Sequence, residues 1–229
     1  MIYHGINYIP NPSNTLLNIA QDLAIQSLNR FTSNDVQFIS LQFENEEPAI
    51  GADIVINLKK NSSKITERKL PFLLEIFNGI ADQAIQDEDW IGFTNSDIVL
   101  KSEEFYSTLR NSDKKAILFN RVEIKDIDLT RDLDQFLNYR GEPNPYDGRD
   151  GFFLRKEIWD KIRSKLPDYI IAEPYWDIGL IELLKEYEPL IVPNQIYHYF
   201  HPRRWARNTP GALYNQNLFD QQKSNLVNN

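Results

Sequence analysis

The feature that most constrains the fold is an alternation of strand-like and helix-like segments along most of the chain. Residues 2–9 and 36–43 have the apolar or period-two patterns of strands, and between them apolar residues at positions 16–28 recur at helical spacing. A second helical pattern, from residue 71 to 84, leads into the short apolar run Trp90–Thr94. This order predicts an α/β fold with a mixed, mainly parallel sheet flanked by helices.

The rest of the chain continues the alternation with one break. Further helices and strands are predicted in turn, the helices at residues 103–110, 156–165 and 177–187 and the strands at residues 116–122, 152–154 and 190–193. Residues 126–150 are polar, with two prolines and two glycines, and predict a long loop. From residue 213 the chain is rich in Asn and Gln, which predicts a flexible tail after a single domain of residues 1–212.

Composition limits the classes of function. The 229 residues carry a formal net charge of -8 and include no cysteine. An acidic chain gains nothing from releasing the counterions of nucleic acid, so we expect no nucleic-acid partner. Without cysteine there is no disulfide, no zinc–thiolate site and no cysteine nucleophile. No apolar run approaches the roughly 20 residues that a membrane span needs, and no signal peptide is visible at residues 1–10. We therefore expect a cytoplasmic protein, with peripheral contact at the inner membrane face as an alternative.

Polar residues that directly follow a strand are candidates for chemistry, because ligands of open α/β sheets bind beyond the carboxyl ends of the strands. Asn95, Ser96 and Asp97 follow the apolar run Trp90–Thr94. A half-buried carboxylate costs free energy unless it is paired or bound to a metal, and Mg²⁺ or Mn²⁺ takes one or two carboxylates together with substrate phosphate oxygens. Asp97 is thus a candidate metal ligand, and the alternative is that it only caps the next segment or closes a turn.

Two later acidic segments have the composition of a sugar site. Asp150 lies among glycines and arginines at the start of an apolar run, where a carboxylate can accept hydrogen bonds from hydroxyl groups. Glu173 and Asp177 flank Tyr175 and Trp176 just before a helix. Aromatic rings can pack on the apolar face of a pyranose, and a carboxylate can act as general base. The structural alternatives are a surface turn at Asp150 and a helix cap at Asp177.

Basic residues and histidines complete the set of candidates. Arg68 precedes a predicted helix, whose N-terminus carries a positive partial charge and could receive a nucleotide. His198, His201 and Arg203 follow a late strand; a neutral imidazole can bind a metal, and a guanidinium can hold a phosphate with two hydrogen bonds. The alternatives are a solvated surface charge at Arg68 and an aromatic cluster that contains hydrogen-bonded histidines.

The order of these segments resembles that of GT-A nucleotide-diphospho-sugar transferases, and in particular a group of bacterial and plant glycosyltransferase-like proteins. The resemblance covers roughly residues 65–205, and residues 1–64 agree only in their strand–helix–strand order. The matching segments are Lys69-Leu70-Pro71, Asn95-Ser96-Asp97-Ile98, Gly148-Arg149-Asp150-Gly151-Phe152-Phe153-Leu154-Arg155, Trp176-Asp177, and the histidines His198 and His201.

This resemblance implies a metal site. Asn95, Ser96 and Asp97 look like a variant of the Asp-x-Asp motif, with Asn95 in place of the first Asp. Asn95 and Ser96 would then contact the donor, and Asp97 would bind the Mn²⁺ or Mg²⁺ that bridges its diphosphate. His198 or His201 would complete the metal shell.

The resemblance also implies the reaction. It is that of a hexosyltransferase-type glycosyltransferase of polysaccharide biosynthesis, which moves a sugar from a nucleotide-diphosphate sugar to a hydroxyl of a glycan or glycoconjugate acceptor. Asp177 would be the base of an inverting transfer, with Glu173 as its rival, and Asp150 would touch donor or acceptor hydroxyls. Asn7 and Tyr8 would border the nucleoside.

Three alternatives accompany this hypothesis. The first is a non-catalytic protein that binds nucleotide sugars or carbohydrates on the same scaffold. The second is a nucleotidyltransferase, which is disfavoured because residues 5–12 contain one glycine and no basic residue to hold a triphosphate. The third is a glycoside hydrolase, which also uses paired carboxylates, but the sequence does not fix their separation.

Overall fold

The computed structural model describes residues 1–9, 14–124, 130–138, 144–199 and 206–227, and of residues 144–147 it describes the backbone only. Within these ranges the centre of the molecule is one sheet of eight strands. The strands are β1 (Ile2–Ile6), β2 (Val36–Phe43), β3 (Ile54–Leu58), β4 (Trp90–Thr94), β5 (Ile98–Leu100), β6 (Ala116–Ile124), β7 (Asn144–Arg155) and β8 (Leu190–Tyr199).

The sheet is mixed, in the order β3-β2-β1-β4-β7-β6-β8-β5. Strands β3, β2, β1 and β4 form a parallel block, as expected for strands joined by helical crossovers. β7 runs antiparallel to both β4 and β6, β8 pairs in parallel with β6, and β5 pairs antiparallel with β8. The predicted α/β class with a mixed, mainly parallel sheet is confirmed.

Helices cover the sheet. They are α1 (Thr15–Phe31), α2 (Ser63–Thr66), α3 (Leu73–Ala81), α4 (Glu104–Asn111), α5 (Leu133–Leu137), α6 (Lys156–Ile162), α7 (Trp176–Leu184) and α8 (Pro210–Val227). The N-cap of α1 is Asn14, whose side-chain oxygen accepts a hydrogen bond from the Leu17 amide at 3.0 Å. No helix within the described ranges has both the length and the apolar character to cross a membrane.

The apolar core lies on both faces of the sheet, because successive side chains of a strand point to opposite faces. In β1, Tyr3 packs in the cluster that includes α3, α6 and α7, whereas Ile2 and Ile6 pack in the cluster that includes α1 and α4. In β7, Phe152 and Phe153 divide between the same two clusters. Strands that are buried on both faces carry near-continuous apolar runs, which explains the strand patterns of the sequence.

A buried histidine ties the parallel block to α4. The His4 ring is fully buried, and its two nitrogens lie 2.8 Å from the Tyr106 hydroxyl and 2.9 Å from the Thr94 hydroxyl. Burial lowers the pKa of His4 to about 3, so the ring is neutral in the folded protein.

Gly92 lies opposite Phe153, and a Cβ at Gly92 would come within 2.1 Å of the Phe153 ring, so only glycine lets β4 and β7 pair here.

The predicted loop at residues 126–150 is wrong in two places. Leu133–Leu137 form α5, which begins where the Asp132 side chain accepts a hydrogen bond from the Gln135 amide at 2.9 Å. Strand β7 begins at Asn144 rather than at residue 152. Arg149 and Asp150 in the middle of β7 line a cleft instead of packing in the core, so apolar periodicity does not reveal that part of the strand.

The C-terminal segment also differs from the expected flexible tail, because Pro210–Val227 form α8. Buried amides attach this helix to the domain. Asn215 donates to the carbonyls of Ile170 and Pro174 at 2.8 and 2.9 Å, and Gln222 joins the Tyr169 hydroxyl to the Gly179 carbonyl. The Asn and Gln residues that suggested a tail therefore include the hydrogen-bonding side chains that hold α8 in place.

Candidate active site

A cleft of about 1040 Å³ opens beyond the carboxyl ends of β1 and β4. Segments far apart in sequence meet there, from the end of β1 to the C-terminal end of β8. The predicted site residues that line this cleft are Asn7, Arg68, Asn95, Ser96, Asp97, Asp150, Glu173, Asp177 and His198. The strand-end rule and the resemblance therefore select side chains that share one cavity.

Tyr8 is the predicted site residue that the structure describes and that does not line the cleft. Tyr8 is half-buried and packs against the apolar cluster that includes α1 and α4. His201 and Arg203 lie outside the described residues, so their proposed contacts with the metal and the phosphate stay predictions. Asn7, the other residue predicted to border the nucleoside, does line the cleft, and its amide donates to the Leu41 carbonyl at 2.8 Å.

The side chains of Asp97 and His198 are neighbours in the cleft wall. Antiparallel pairing of β5 with β8 places Ile98 opposite His198, so the residue before Ile98 comes beside the histidine. The Asp97 Oδ2 lies 3.5 Å from the His198 Nε2, and the two side chains are 13% and 10% exposed. Chain elements about a hundred residues apart thus bring a carboxylate and an imidazole together at the cleft.

This pair fits a divalent cation. Mn²⁺ accepts both carboxylate and imidazole ligands, and Mg²⁺ and Mn²⁺ sites are commonly completed by water and substrate phosphate oxygens. Within the described ranges there is no group of three or more acidic, histidine or cysteine side chains that could hold a metal. A cation bound by Asp97 and His198 would therefore need further ligands, such as water or substrate phosphate oxygens, to complete its shell.

Asn95 and Ser96 hold the cleft wall through two different partners. The Asn95 amide donates to the Asp150 Oδ1 at 2.7 Å, which connects the end of β4 to β7. The Ser96 hydroxyl donates to the Gln21 Oε1 at 2.9 Å, and Gln21 also makes two hydrogen bonds with the backbone of Ile9. The triplet after β4 is therefore fixed to both α1 and the segment after β1.

Asp150 is held in a buried ion-pair network on β6 and β7. The Arg121 Nη1 donates to the Asp150 Oδ2 at 2.6 Å, and the Arg121 Nη2 donates to the Glu123 Oε1 at 3.0 Å. The side chains of Arg121, Asp150 and Glu123 are 16%, 7% and 8% exposed. Both carboxylate oxygens of Asp150 are thus in hydrogen bonds, since Asn95 occupies the other one. This geometry suits a positioning role better than proton transfer.

A β-bulge explains why two successive residues of β7 reach the cleft. Gly151 pairs with Phe119, and Arg149 pairs with Asn120, so Asp150 is an extra residue in β7. A bulge breaks the alternation of side chains between the faces of a sheet. As a result, Arg149 and Asp150 both line the cleft.

Glu173 is buried and engaged on both of its oxygens. The Arg68 Nη1 donates to its Oε1 at 3.2 Å, and the Thr209 hydroxyl, just before α8, donates to its Oε2 at 3.0 Å. The flanking residues Ala172 and Tyr175 have φ values of 67° and 78°, a conformation that is costly for residues other than glycine. Glu173 therefore holds this strained segment in place. Because both of its oxygens already accept hydrogen bonds, it is a weaker candidate than Asp177 for the base.

Asp177 lies in the first turn of α7 and has the environment of a general base. Burial raises the pKa of its carboxyl, the Ile178 backbone amide opposes that rise, and the negative charge of Asp150 adds to it. The positive charge of Arg121 lowers the pKa by less, so the net shift is upward. A carboxyl group with a raised pKa in a cleft is the kind of group that can take up a proton during a reaction.

Several lining residues were not among the site residues predicted from sequence, and four polar ones bear on the geometry of the cleft. They are Gln21 in α1, Arg121 and Glu123 in β6, and Arg149 in β7. A usable signal exists for Arg121 and Glu123, because two charges at alternate positions interrupt the otherwise apolar run at residues 116–124. Gln21 carries no such signal, since its position depends on helix packing. Arg149 lies in a segment that the resemblance selects, but its place in the cleft depends on the bulge.

Comparison with known proteins supports the fold. No protein-family model matches the chain, and no curated protein matches it. A mannosyltransferase from Pyrobaculum calidifontis, solved in complex with GDP-Man and Mn²⁺, aligns with a TM-score of 0.53 at 10% identity, over 100% of this chain and 64% of that one. This chain thus spans less than two thirds of the mannosyltransferase. The alignment shows that the chain has the GT-A type of fold, which confirms the predicted resemblance at the level of fold.

Two further structures align at lower TM-scores. The glycosyltransferase GlyE of Streptococcus pneumoniae TIGR4 has a TM-score of 0.48 at 13% identity, over 99% of this chain and 63% of that one. The 2-C-methyl-D-erythritol 4-phosphate cytidylyltransferase of Francisella tularensis has a TM-score of 0.45 at 10% identity, over 84% of this chain and 89% of that one.

Proposed function

We propose that this protein is a glycosyltransferase that moves a sugar from a nucleotide-diphosphate sugar to a hydroxyl group of a glycan or glycoconjugate acceptor, with a divalent cation. The observation that carries the proposal is the meeting of the Asp97–His198 pair and the Asp177 carboxyl in one cleft at the strand ends of a GT-A type fold. The mannosyltransferase of the same fold was solved with GDP-Man and Mn²⁺, which supports the class of donor and the metal.

Asp97 and His198 are the residues that would hold the cation. When bound, Mn²⁺ or Mg²⁺ acts as a Lewis acid on the diphosphate of the donor. Asn95 and Ser96 lie between this pair and the rest of the wall, and their hydrogen bonds to Asp150 and Gln21 keep the segment in place. The protein thus contributes a rigid wall, and a rigid wall orients a donor without further reorganisation.

Asp177 would accept the proton of the acceptor. In an inverting transfer the acceptor oxygen forms a bond to the anomeric carbon while the bond from that carbon to the diphosphate oxygen breaks. The electron pair of the broken bond leaves with the nucleoside diphosphate, and the hydroxyl proton passes to the Asp177 carboxylate. Because its pKa is raised, this carboxylate is a stronger base than an exposed Asp.

Turnover measurements on two variants test this assignment. Removing a general base costs about 10²- to 10⁴-fold in rate, so Asp177→Asn should lose turnover of a nucleotide sugar and keep its affinity for the donor. Asp97→Asn should lose affinity for the donor in the presence of Mn²⁺. Asp168→Asn is a matched control, because Asp168 is another partly buried carboxyl whose pKa burial raises, and it does not line the cleft.

A non-catalytic binding protein on the same scaffold predicts a different result. In that case the wild-type protein would bind a nucleotide sugar and neither transfer nor hydrolyse it, and Asp177→Asn would have no measurable effect on turnover. Such an outcome would reject the enzymatic proposal and leave the cleft as a binding site.

A further inference from the structure

Among the described residues that line the cleft, each Lys and Arg but one is paired with an acid. Lys69 lies 3.1 Å from Glu46, and Arg68 lies 3.2 Å from Glu173. Arg121 is paired with Asp150 and also with Glu123, which lies on β6 as Arg121 does. Each of these cations is already neutralised by a carboxylate of the cleft wall.

Arg149 is the exception. It is half-buried and lines the cleft, and among the described residues it has neither a hydrogen bond nor an ion pair. Its Nε is buried away from solvent without a hydrogen-bond partner in that part of the chain. A buried donor without a partner costs free energy, and a guanidinium costs more than a neutral group because it also loses part of its hydration.

The bulge in β7 explains why the unpaired Arg149 guanidinium lies in the cleft. Regular pairing of β7 with β6 would place successive side chains on opposite faces, but the extra residue at Asp150 directs both Arg149 and Asp150 to the cleft. The carboxylate of Asp150 is taken by Asn95 and Arg121, so it does not neutralise its neighbour. No ion pair joins Arg149 to Asp177 either, within the part of the chain that is described.

We propose that Arg149 is an anion-binding residue of this cleft, and that its guanidinium pairs with a phosphate or carboxylate group of a substrate. The proposal rests on the proposed function only in taking the cleft as the substrate site. A guanidinium offers two parallel donors that match both kinds of oxyanion. The anionic group comes either from the donor diphosphate or from an acidic sugar, and the two sources can be distinguished experimentally.

The first test is stability without any ligand. Arg149→Met keeps an unbranched apolar stem and removes the unpaired charge, so its melting temperature should equal or exceed that of the wild type. Arg163→Met is the matched control, because Arg163 is a 49% exposed cation at the C-cap of α6 whose loss changes the net charge equally. A clearly lower melting temperature for Arg149→Met than for this control would show a structural role and overturn the proposal.

The second test is calorimetric titration with pyrophosphate and, separately, with D-glucuronate, without nucleoside and with EDTA present. The wild type should bind one of these anions, and Arg149→Met should bind it about ten- to a hundredfold more weakly, the range expected for charge-assisted hydrogen bonds. Loss of affinity for pyrophosphate assigns the donor diphosphate, and loss for glucuronate alone assigns an acidic sugar. Arg163→Met should bind as the wild type does.

Two results would overturn the assignment: neither anion binds the wild type, or Arg149→Met binds both as tightly as the wild type. Because no nucleoside or metal is present, a failed search for a nucleotide donor would leave Arg149-dependent anion binding standing. Conversely, metal-dependent nucleotide binding by the wild type, with no Arg149-dependent binding of either anion, would remove this inference and leave the proposed function.

Discussion

Replacement of Arg121 tests whether the ion-pair network on β6 and β7 is a structural support of the site. The Arg121 side chain is 16% exposed, and it is paired with two carboxylates that are 7% and 8% exposed. Arg121→Met fills most of the volume but leaves the carboxylates of Asp150 and Glu123 buried without their cation. Removing one partner of a buried ion pair costs about 3–5 kcal/mol. For a chain of this length about 1 kcal/mol shifts the melting temperature by roughly 2–4 °C, so we expect a decrease of roughly 6–20 °C.

The assay is thermal unfolding followed by circular dichroism, with a surface ion pair as control. Arg30 and Asp134 are paired too, but they are 46% and 70% exposed. Exposed pairs contribute about 0–1 kcal/mol, so Arg30→Met should lower the melting temperature by no more than about 4 °C.

A triple variant separates charge from packing. Adding Asp150→Asn and Glu123→Gln to Arg121→Met removes the unpaired charges, and networks neutralised in this way are often as stable as the original. The triple variant should regain most of the lost melting temperature. The reasoning fails if Arg121→Met melts no lower than Arg30→Met, or if neutralising the two carboxylates restores nothing.

Three further predictions concern stability. Burial raises the pKa of Asp177 above its unfolded value of 3.8, so its ionisation destabilises the fold as pH rises through the folded pKa. Melting curves should therefore show Asp177→Asn melting higher than the wild type at pH 7 but not at pH 3. Gly211→Ala should lower the free energy of unfolding by about 1–3 kcal/mol in denaturant titration, because its Cβ would lie 2.7 Å from the Glu173 Cδ. The better helix propensity of Ala does not offset this clash, whereas Asn217→Ala at an exposed position of α8 should not lower the free energy of unfolding. The pKa of His4 is about 3 in the folded protein and 6.5 in the unfolded one, so the stability that its neutral form provides is present above pH 6.5 and lost as pH falls toward 3. His4→Gln should therefore reduce the slope of melting temperature against pH between these values. An unchanged slope would refute His4 as the source of this pH dependence.

The sequence predicts the architecture well where the signal is local. Apolar strands and amphipathic helices follow from periodicity, and the strand-end rule selects the triplet from Asn95 to Asp97 without knowledge of any other segment. Those three residues line the cleft. Their position depends only on where one strand ends, which a short apolar run indicates.

What the sequence misses depends on long-range pairing. The neighbours Asp97 and His198 meet because β5 pairs with β8, and only the resemblance suggested a shared metal site. Arg149 reaches the cleft through a bulge, which changes the register by one residue and leaves no mark in composition. The helix α8 was expected to be a tail, because buried amides such as Asn215 cannot be told from solvated ones until their partners are known.

The most direct test of the central claim is a melting-temperature screen of the wild-type protein with nucleoside diphosphates, with and without Mn²⁺. A ligand at about a hundred times its Kd stabilises the folded state by about 2.7 kcal/mol. One nucleoside diphosphate should therefore raise the melting temperature by roughly 5–11 °C. The increase should require Mn²⁺ and should be lost in Asp97→Asn. The account is contradicted if no nucleoside diphosphate raises the melting temperature, or if the increase is the same without Mn²⁺ and in that variant.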